Sequence, residues 1–135
     1  MSAPLEEARS LLKLWGTWER RVRQYRREIE FAGRAFHGNS EADREAYAER
    51  LARLEEDIRE TLRQRDRMDE LIRALPPLER EVEHFRSREG MNYVAMGFRL
   101  GYSADYLRHV KQRADRLIAE ALEVEAVNRD PSPAV

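Results

Sequence analysis

The clearest structural signal in this chain is the segment Asn92-Tyr93-Val94-Ala95-Met96-Gly97-Phe98-Arg99-Leu100-Gly101-Tyr102-Ser103. Asn92 carries a side-chain oxygen that can cap the start of a short helix. Gly101 can adopt the left-handed backbone conformation that ends this helix, and Ser103 can cap the next one. The segment therefore predicts two helices joined by a tight turn, a helix-turn-helix whose second helix can enter a DNA major groove.

The helix that follows Ser103 is predicted to have distinct apolar and polar faces. At about 100° per residue, the face expected to lie in the core carries Leu107, Val110, Ala114, Leu117 and Ile118. The opposite face carries Asp105, Arg108, His109, Gln112 and Arg116, and the two flanks carry Lys111 and Arg113. A helix that reads a groove needs hydrogen-bonding side chains toward the base edges and cations toward the phosphates. An ordinary amphipathic helix with a solvated polar face is the structural alternative.

These positions define the residues that we expect to contact DNA. Arg108 is expected to reach a guanine edge, and Asp105 is expected to accept a hydrogen bond from a cytosine amine. Lys111 is expected to bind a backbone phosphate. The complete set of predicted DNA-binding residues is Ser103, Ala104, Asp105, Arg108, His109, Lys111, Gln112, Arg113 and Arg116.

A second motif precedes the helix-turn-helix and reads Leu75-Pro76-Pro77-Leu78-Glu79-Arg80-Glu81-Val82. Between Leu75 and Ile118 the chain resembles region 4 of sigma-70 factors. It has no recognisable region 2 ahead of this segment and in that respect resembles phage ArpU/RinA-type transcriptional regulators, which place such a domain behind a helical segment. The resemblance implies a regulator of phage or prophage origin that activates late or packaging genes. Two positions depart from the pattern: the family usually has Glu where Ala95 stands, and sigma factors often carry Arg where Ala104 stands.

The N-terminal half shows apolar spacings that alternate between four and three residues, through Leu11, Trp15, Trp18, Val22, Tyr25, Ile29, Ala32 and Phe36. This seam predicts one helix of about eight turns. Gly38 suits a helix end, and Ser40 with Asp43 suits the start of a second helix that stops at Pro76-Pro77. Because the connection is short, the two helices are predicted to form an antiparallel hairpin with Val22 near Ile58.

A basic cluster lies on the first helix and consists of Arg20, Arg21, Arg23, Arg26 and Arg27. Such a run can bind nucleic acid or an acidic surface. A solvated face that pairs with acidic side chains of the facing helix is the favoured interpretation, and the candidate partners are Glu55, Glu56, Asp57 and Glu60.

Composition limits the functional classes. The formal net charge of -1 is unusual for a DNA-binding protein, but Arg108, Lys111, Arg113 and Arg116 concentrate positive charge on the predicted recognition helix. The absence of cysteine fits a reducing cytoplasm, and no apolar run is long enough to span a membrane. The three histidines are far apart and no phosphate-binding glycine loop is present, so we expect neither an enzyme nor a metal or other cofactor.

The sequence therefore predicts an all-α protein with three segments. Residues 1–75 form a coiled-coil-like hairpin, residues 76–122 form a three-helix domain that contains the helix-turn-helix, and residues 123–135 form a flexible tail. The expected partner is double-stranded DNA, and the hairpin is expected to supply homodimerisation or contact with RNA polymerase. Two alternatives stay open: a small-terminase-like phage packaging protein, and a helical adaptor that binds protein only, such as RNA polymerase.

Overall fold

The structure is a computed structural model that describes residues 3–38 and 40–129. The described residues form helices and turns and contain no strand, so the all-α prediction is confirmed. In these ranges no helix is both long enough and apolar enough for a membrane span. The helices are α1 (Ala3–Trp15), α2 (Trp18–Ala35), α3 (Glu41–Arg73), α4 (Pro77–Glu83), α5 (Tyr93–Leu100) and α6 (Ala104–Arg129), and a π-helical turn over His84–Arg88 follows α4.

The described residues divide into two compact units. One unit combines residues 3–16 with 68–129, and the other contains residues 17–38 and 40–67. This division differs from the predicted boundary after residue 75, because α1 packs on α6. The spacing of Ala8, Leu12 and Trp15 places them on one face of α1, and all three are buried.

The prediction of one continuous helix from Leu11 to Phe36 is wrong, because the helix is interrupted at residues 16 and 17. A Cβ atom on Gly16 would lie 2.6 Å from the backbone oxygen of Arg88, so this position accommodates the close approach of another backbone segment. Trp15 is buried in the first unit and Trp18 in the second. The regular apolar spacing therefore continues across a boundary between two units.

The core beneath the helix-turn-helix is built by α4, α5 and α6. Val82, Met96, Leu107 and Val110 are fully buried, and half-buried side chains such as Phe85 pack against them. Ala114 and Ile118 are buried as predicted. The prediction is wrong for Leu117, which is 38% exposed because it lies at the edge of the apolar face.

The predicted flexible tail from residue 123 needs correction. Helix α6 continues to Arg129, and Ala119 and Leu122 are buried in the same unit as α1. This packing extends the regular helix beyond the predicted recognition segment. Residues 130–135 lie outside the described ranges.

The second unit contains α2 and residues 41–67 of α3. The backbone nitrogen of Asp43 donates to Ser40 Oγ at 3.1 Å, which confirms the predicted cap. The rings of Phe36 and Tyr47 stack with a centroid separation of 4.5 Å. Gly38 is not in the left-handed region; a Cβ there would collide with the Cβ of Asp43, so close approach explains the glycine. The pairing of Val22 with Ile58 stays a prediction.

The basic cluster of α2 does not pair with the acidic side chains of α3 that the favoured interpretation predicted. Glu56 and Glu60 instead form ion pairs with Arg59 and Arg63 of their own helix. Within residues 3–38 and 40–129, no ion pair involves any member of the cluster Arg20, Arg21, Arg23, Arg26 and Arg27. Arginines three or seven residues away on the same helix pair with Glu56 and Glu60 at little conformational cost.

Candidate nucleic-acid interface

Local hydrogen bonds define both ends of α5 and the start of α6. Asn92 Oδ1 accepts from the backbone nitrogen of Ala95 at 2.8 Å, and Ser103 Oγ accepts from that of Tyr106 at 3.1 Å. Gly101 has a φ of 80° and donates its N–H to the Gly97 oxygen at 2.9 Å. The three local roles predicted for Asn92, Gly101 and Ser103 are therefore confirmed.

The close packing of this turn also depends on Gly97, which the sequence reasoning missed. A Cβ atom at this position would lie 2.7 Å from the backbone oxygen of Tyr102. The glycine therefore lets the chain fold back closely against α5. Its place four residues before Gly101 was the available signal, because a helical spacing of four brings a residue beneath the turn that ends the helix.

The predicted polar face of α6 lies at the surface. Asp105, His109, Gln112, Arg113 and Arg116 are exposed on the helix, together with Arg108. Ser103 is exposed at the helix start and Ala104 is half-buried. The structure thus brings eight of the nine predicted residues to or near one surface, and the ninth is Lys111.

Arg108 is positioned by two contacts. Its Nη1 lies 2.5 Å from Asp105 Oδ1, and its guanidinium lies 5.1 Å from the centre of the Tyr93 ring. The Arg108 side chain is nevertheless 51% exposed and that of Asp105 is 89% exposed. The two residues predicted to read bases are therefore an exposed pair with a defined geometry, which limits the rotamer entropy lost when they bind.

Lys111 occupies a different environment from the one that we predicted. Its Nζ lies 3.0 Å from Glu83 Oε1 and 2.5 Å from Asp115 Oδ1, and its side chain is only 14% exposed. Arg9 of α1 reaches Asp115 Oδ2 at 3.2 Å, and Ser87 Oγ donates to Glu83 Oε1 at 2.9 Å. The ammonium is committed to this internal cluster, which joins α1, α4 and α6. This pairing argues against the phosphate contact predicted for Lys111.

The internal cluster changes the protonation of its members. Burial raises the pKa of Glu83 to about 8, a hydrogen bond with Asp115 adds to this rise, and the charge of Lys111 opposes it. Burial acts to lower the pKa of Lys111, but the carboxyl groups of Glu83 and Asp115 outweigh burial and raise it. Protonation of Glu83 lessens the repulsion between two neighbouring buried carboxylates.

Sequence reasoning did not identify Glu83 or Asp115 as buried. Asp115 lies four residues after Lys111 and beside Ala114 of the apolar face. This spacing places a potential ion pair at the edge of that face, which was the available signal. Glu83 follows the buried Val82, but nothing in its local sequence indicates that it meets Lys111.

The other flank of α6 carries Arg113 and several exposed aromatic side chains. Arg113 Nη2 lies 3.2 Å from Glu79 Oε1, and its guanidinium lies 5.9 Å from the centre of the Tyr106 ring. The rings of Tyr102 and Tyr106 are 5.3 Å apart. On α5, Phe98 is 89% exposed and Val94 is 60% exposed. These apolar side chains were not assigned a role from the sequence, because single exposed apolar residues are common.

No group of side chains suited to hold a metal ion occurs in the part of the chain that the structure describes. Comparison of the chain with family models, with curated proteins and with solved structures found no match in any of the three. The interpretation of the α6 surface accordingly depends on its own geometry and chemistry.

Proposed function

We propose that this protein is a sequence-specific regulator of transcription that reads the major groove of double-stranded DNA with the first half of α6. The observation that carries this proposal is the capped turn between α5 and α6 together with the exposed polar face of α6. A buried face anchors the helix through Leu107 and Val110 and leaves the opposite face available to base edges.

The charge of the exposed face suits this role. Because Lys111 and Asp115 are turned into the internal cluster, the exposed positions between residues 105 and 116 carry Arg108, Arg113 and Arg116 against Asp105. Glu79 of α4 offsets the charge of Arg113, and Arg116 remains without an opposing acid among the described residues of this face. This local excess of positive charge attracts a polyanion even though the formal net charge of the chain is -1.

The side chains of this face have complementary chemical roles in the proposed complex. Arg108 reads a guanine edge, Asp105 orients Arg108 or accepts from a cytosine amine, and Gln112 pairs with an adenine edge. Arg113 and Arg116 contact phosphates at the walls of the groove. In this scheme Lys111 touches no nucleic acid and holds α6 in place.

The biological setting belongs to the same proposal. The resemblance to sigma-70 region 4 and to ArpU/RinA-type regulators supports a phage or prophage origin. A homodimer formed through the N-terminal helices, or a contact with RNA polymerase, would link DNA binding to transcription.

A second candidate function is a helical adaptor that binds protein rather than DNA. The exposure of Phe98 and Val94 favours it, because they form part of an apolar surface on α5, the first helix of the helix-turn-helix. A packaging protein of the small-terminase type is not favoured by any specific feature of the structure.

Selection of bound duplexes from a random pool tests the proposed function. The regulator proposal expects one enriched sequence whose affinity falls steeply with salt concentration. A palindromic site would indicate a symmetric dimer. Absence of both enrichment and salt-dependent binding would contradict the proposal and favour the adaptor.

A further inference from the structure

An open cleft of about 590 Å³ lies beside α6, on the flank opposite Arg113. It is lined by α1 through Lys13, by the π-helical turn through Arg86, and by α6 through Arg108 and Gln112. The last two residues also belong to the exposed polar face of α6. The cleft is therefore continuous with the surface that we propose to enter the major groove.

The rim of this cleft presents cations that lack acidic partners. Within residues 3–38 and 40–129, neither the ammonium of Lys13 nor the guanidinium of Arg86 forms an ion pair. Arg86 is nonetheless held in place, because its Nη1 donates to the Met91 oxygen at 3.1 Å. Its remaining N–H groups can serve an external acceptor.

Tyr93 brings Arg86 close to Arg108, whose partner is Asp105. The guanidinium of Arg86 lies 5.0 Å from the centre of the Tyr93 ring, and that of Arg108 lies 5.1 Å from it. Both arginines line the cleft. Positive charge is therefore concentrated around one aromatic ring, an arrangement that an anion between the two arginines would stabilise.

The internal cluster explains how α1 contributes a cation to the same place. Arg9 binds Asp115 of α6, and Lys13 follows Arg9 by four residues, which places both on one face of α1. The ion pair between Arg9 and Asp115 thus holds α1 beside the recognition helix and presents Lys13 at the cleft. Arg9, Lys111 and Asp115 also line the cleft, where Asp115 and Glu83 pair with Arg9 and Lys111. Lys13 and Arg86 have no ion pair within the described ranges.

We propose that this cleft binds a phosphodiester of the DNA strand that borders the groove, with Lys13 and Arg86 as its ligands. This inference rests on the proposed function. The cleft is open and shares Arg108 and Gln112 with the reading face, which fits a continuous backbone better than an enclosed small anion. The proposed phosphate contact makes α1 part of the DNA-binding surface, although α1 lies outside the helix-turn-helix.

Salt-dependent binding of the full chain tests the cleft. Lys13→Gln is expected to weaken binding to a selected site and to a scrambled duplex by the same factor. The slope of log affinity against log salt should become less steep by about 0.9, because one phosphate contact is lost. Arg86→Gln should act alike, and the double variant should lose about twice that slope. Arg53→Gln removes one exposed charge from α3 and serves as the matched control with an unchanged slope.

Three further results separate the cleft from the proposed function. If the wild type binds DNA with a normal salt slope and Lys13→Gln leaves that slope unchanged, the proposed phosphate contact in the cleft is wrong. The proposal of a DNA-binding regulator would then still stand. If the wild type binds no DNA, both the regulator proposal and the proposed binding of a DNA phosphodiester in the cleft are contradicted. Calorimetry with inorganic phosphate should show no saturation at millimolar concentration, and saturable binding that Lys13→Gln abolishes would assign the cleft to a free anion instead. Lys13 is exposed, so its variant is expected to fold even if Arg86→Gln disturbs the turn at Met91.

Discussion

Two regions of α6 carry basic side chains, and they differ in what surrounds them. On the exposed face, Arg108 contacts Asp105 and Tyr93 and is half-exposed. On the buried flank, Lys111 lies between Glu83 and Asp115 and is almost inaccessible. The two residues are neighbours on one helix, but only Arg108 can offer its charge to a polyanion. The number of cations on a helix therefore overstates its capacity to bind DNA wherever buried carboxylates neutralise some of them.

The largest effect that distinguishes the two regions should appear in stability. Lys111→Met keeps the apolar stem but removes the cation that Glu83 and Asp115 share and leaves Asp115 with Arg9 alone, so we expect a loss of about 3 kcal/mol in the free energy of unfolding. Arg116→Ala, on the exposed face, should change it by less than about 0.5 kcal/mol. Denaturant titration monitored by circular dichroism measures both, and equal effects would show that Lys111 is not structural.

The same Lys111→Met protein sharpens the comparison in DNA binding. At a temperature where it stays folded, its salt slope should equal that of the wild type, because Lys111 contacts no phosphate in our scheme. A salt slope reduced by about one unit would instead support the phosphate contact that the sequence predicted for Lys111.

The protonation of Glu83 should make stability depend on pH. Its pKa is raised to about 8 from an ordinary value of 4.5, since burial and the neighbouring Asp115 outweigh Lys111, while Arg9 faces Asp115 from α1. The folded protein then holds a proton that the unfolded chain has released. The contribution of Glu83 to the free energy of unfolding is therefore greatest below about pH 4.5, and it falls as pH rises toward about 8.

Thermal melts across this pH range measure that dependence. The slope contributed by one group is at most about 1.4 kcal/mol per pH unit. Glu83→Gln keeps a neutral, hydrogen-bonding side chain and should flatten the decline in this window. A decline that persists unchanged in the variant would assign the titration to another group.

The smallest effect is expected on α2, where Arg23 provides a solvent-exposed contrast to Lys111. Arg23→Gln should change the free energy of unfolding by less than about 0.5 kcal/mol, because Arg23 is exposed and has no ion pair within the described ranges. A thermal melt of this variant is the measurement. A loss above about 1 kcal/mol would indicate that the arginine supports the fold.

Structural features that depend on short-range interactions were predicted well from the sequence. The roles of Asn92, Gly101 and Ser103 depend on hydrogen bonds and backbone conformations that span only a few residues, so the residue types alone indicate them. The buried face of α6 also followed from helical periodicity, with Leu117 as the exception at its edge.

Features that depend on distant segments could not be predicted in this way. The break after Trp15 reflects the approach of the Arg88 backbone to Gly16, and the regular apolar spacing hides it. The burial of Lys111 requires Glu83 from α4 and is reinforced by Arg9 from α1, through Asp115. A charged side chain on a helix flank looks the same in sequence whether its partner is a phosphate or a buried carboxylate.

The most direct test of the central claim is a binding measurement on Arg108→Ala. Fluorescence anisotropy would record its isotherms on the selected duplex and on a scrambled duplex, beside those of the wild type. Loss of a base contact predicts a cost of about 1 to 3 kcal/mol on the selected duplex, little change on the scrambled one, and relaxed preference at one base pair. An equal loss on both duplexes, or no loss on either, would contradict the claim that the exposed face of α6 reads DNA sequence.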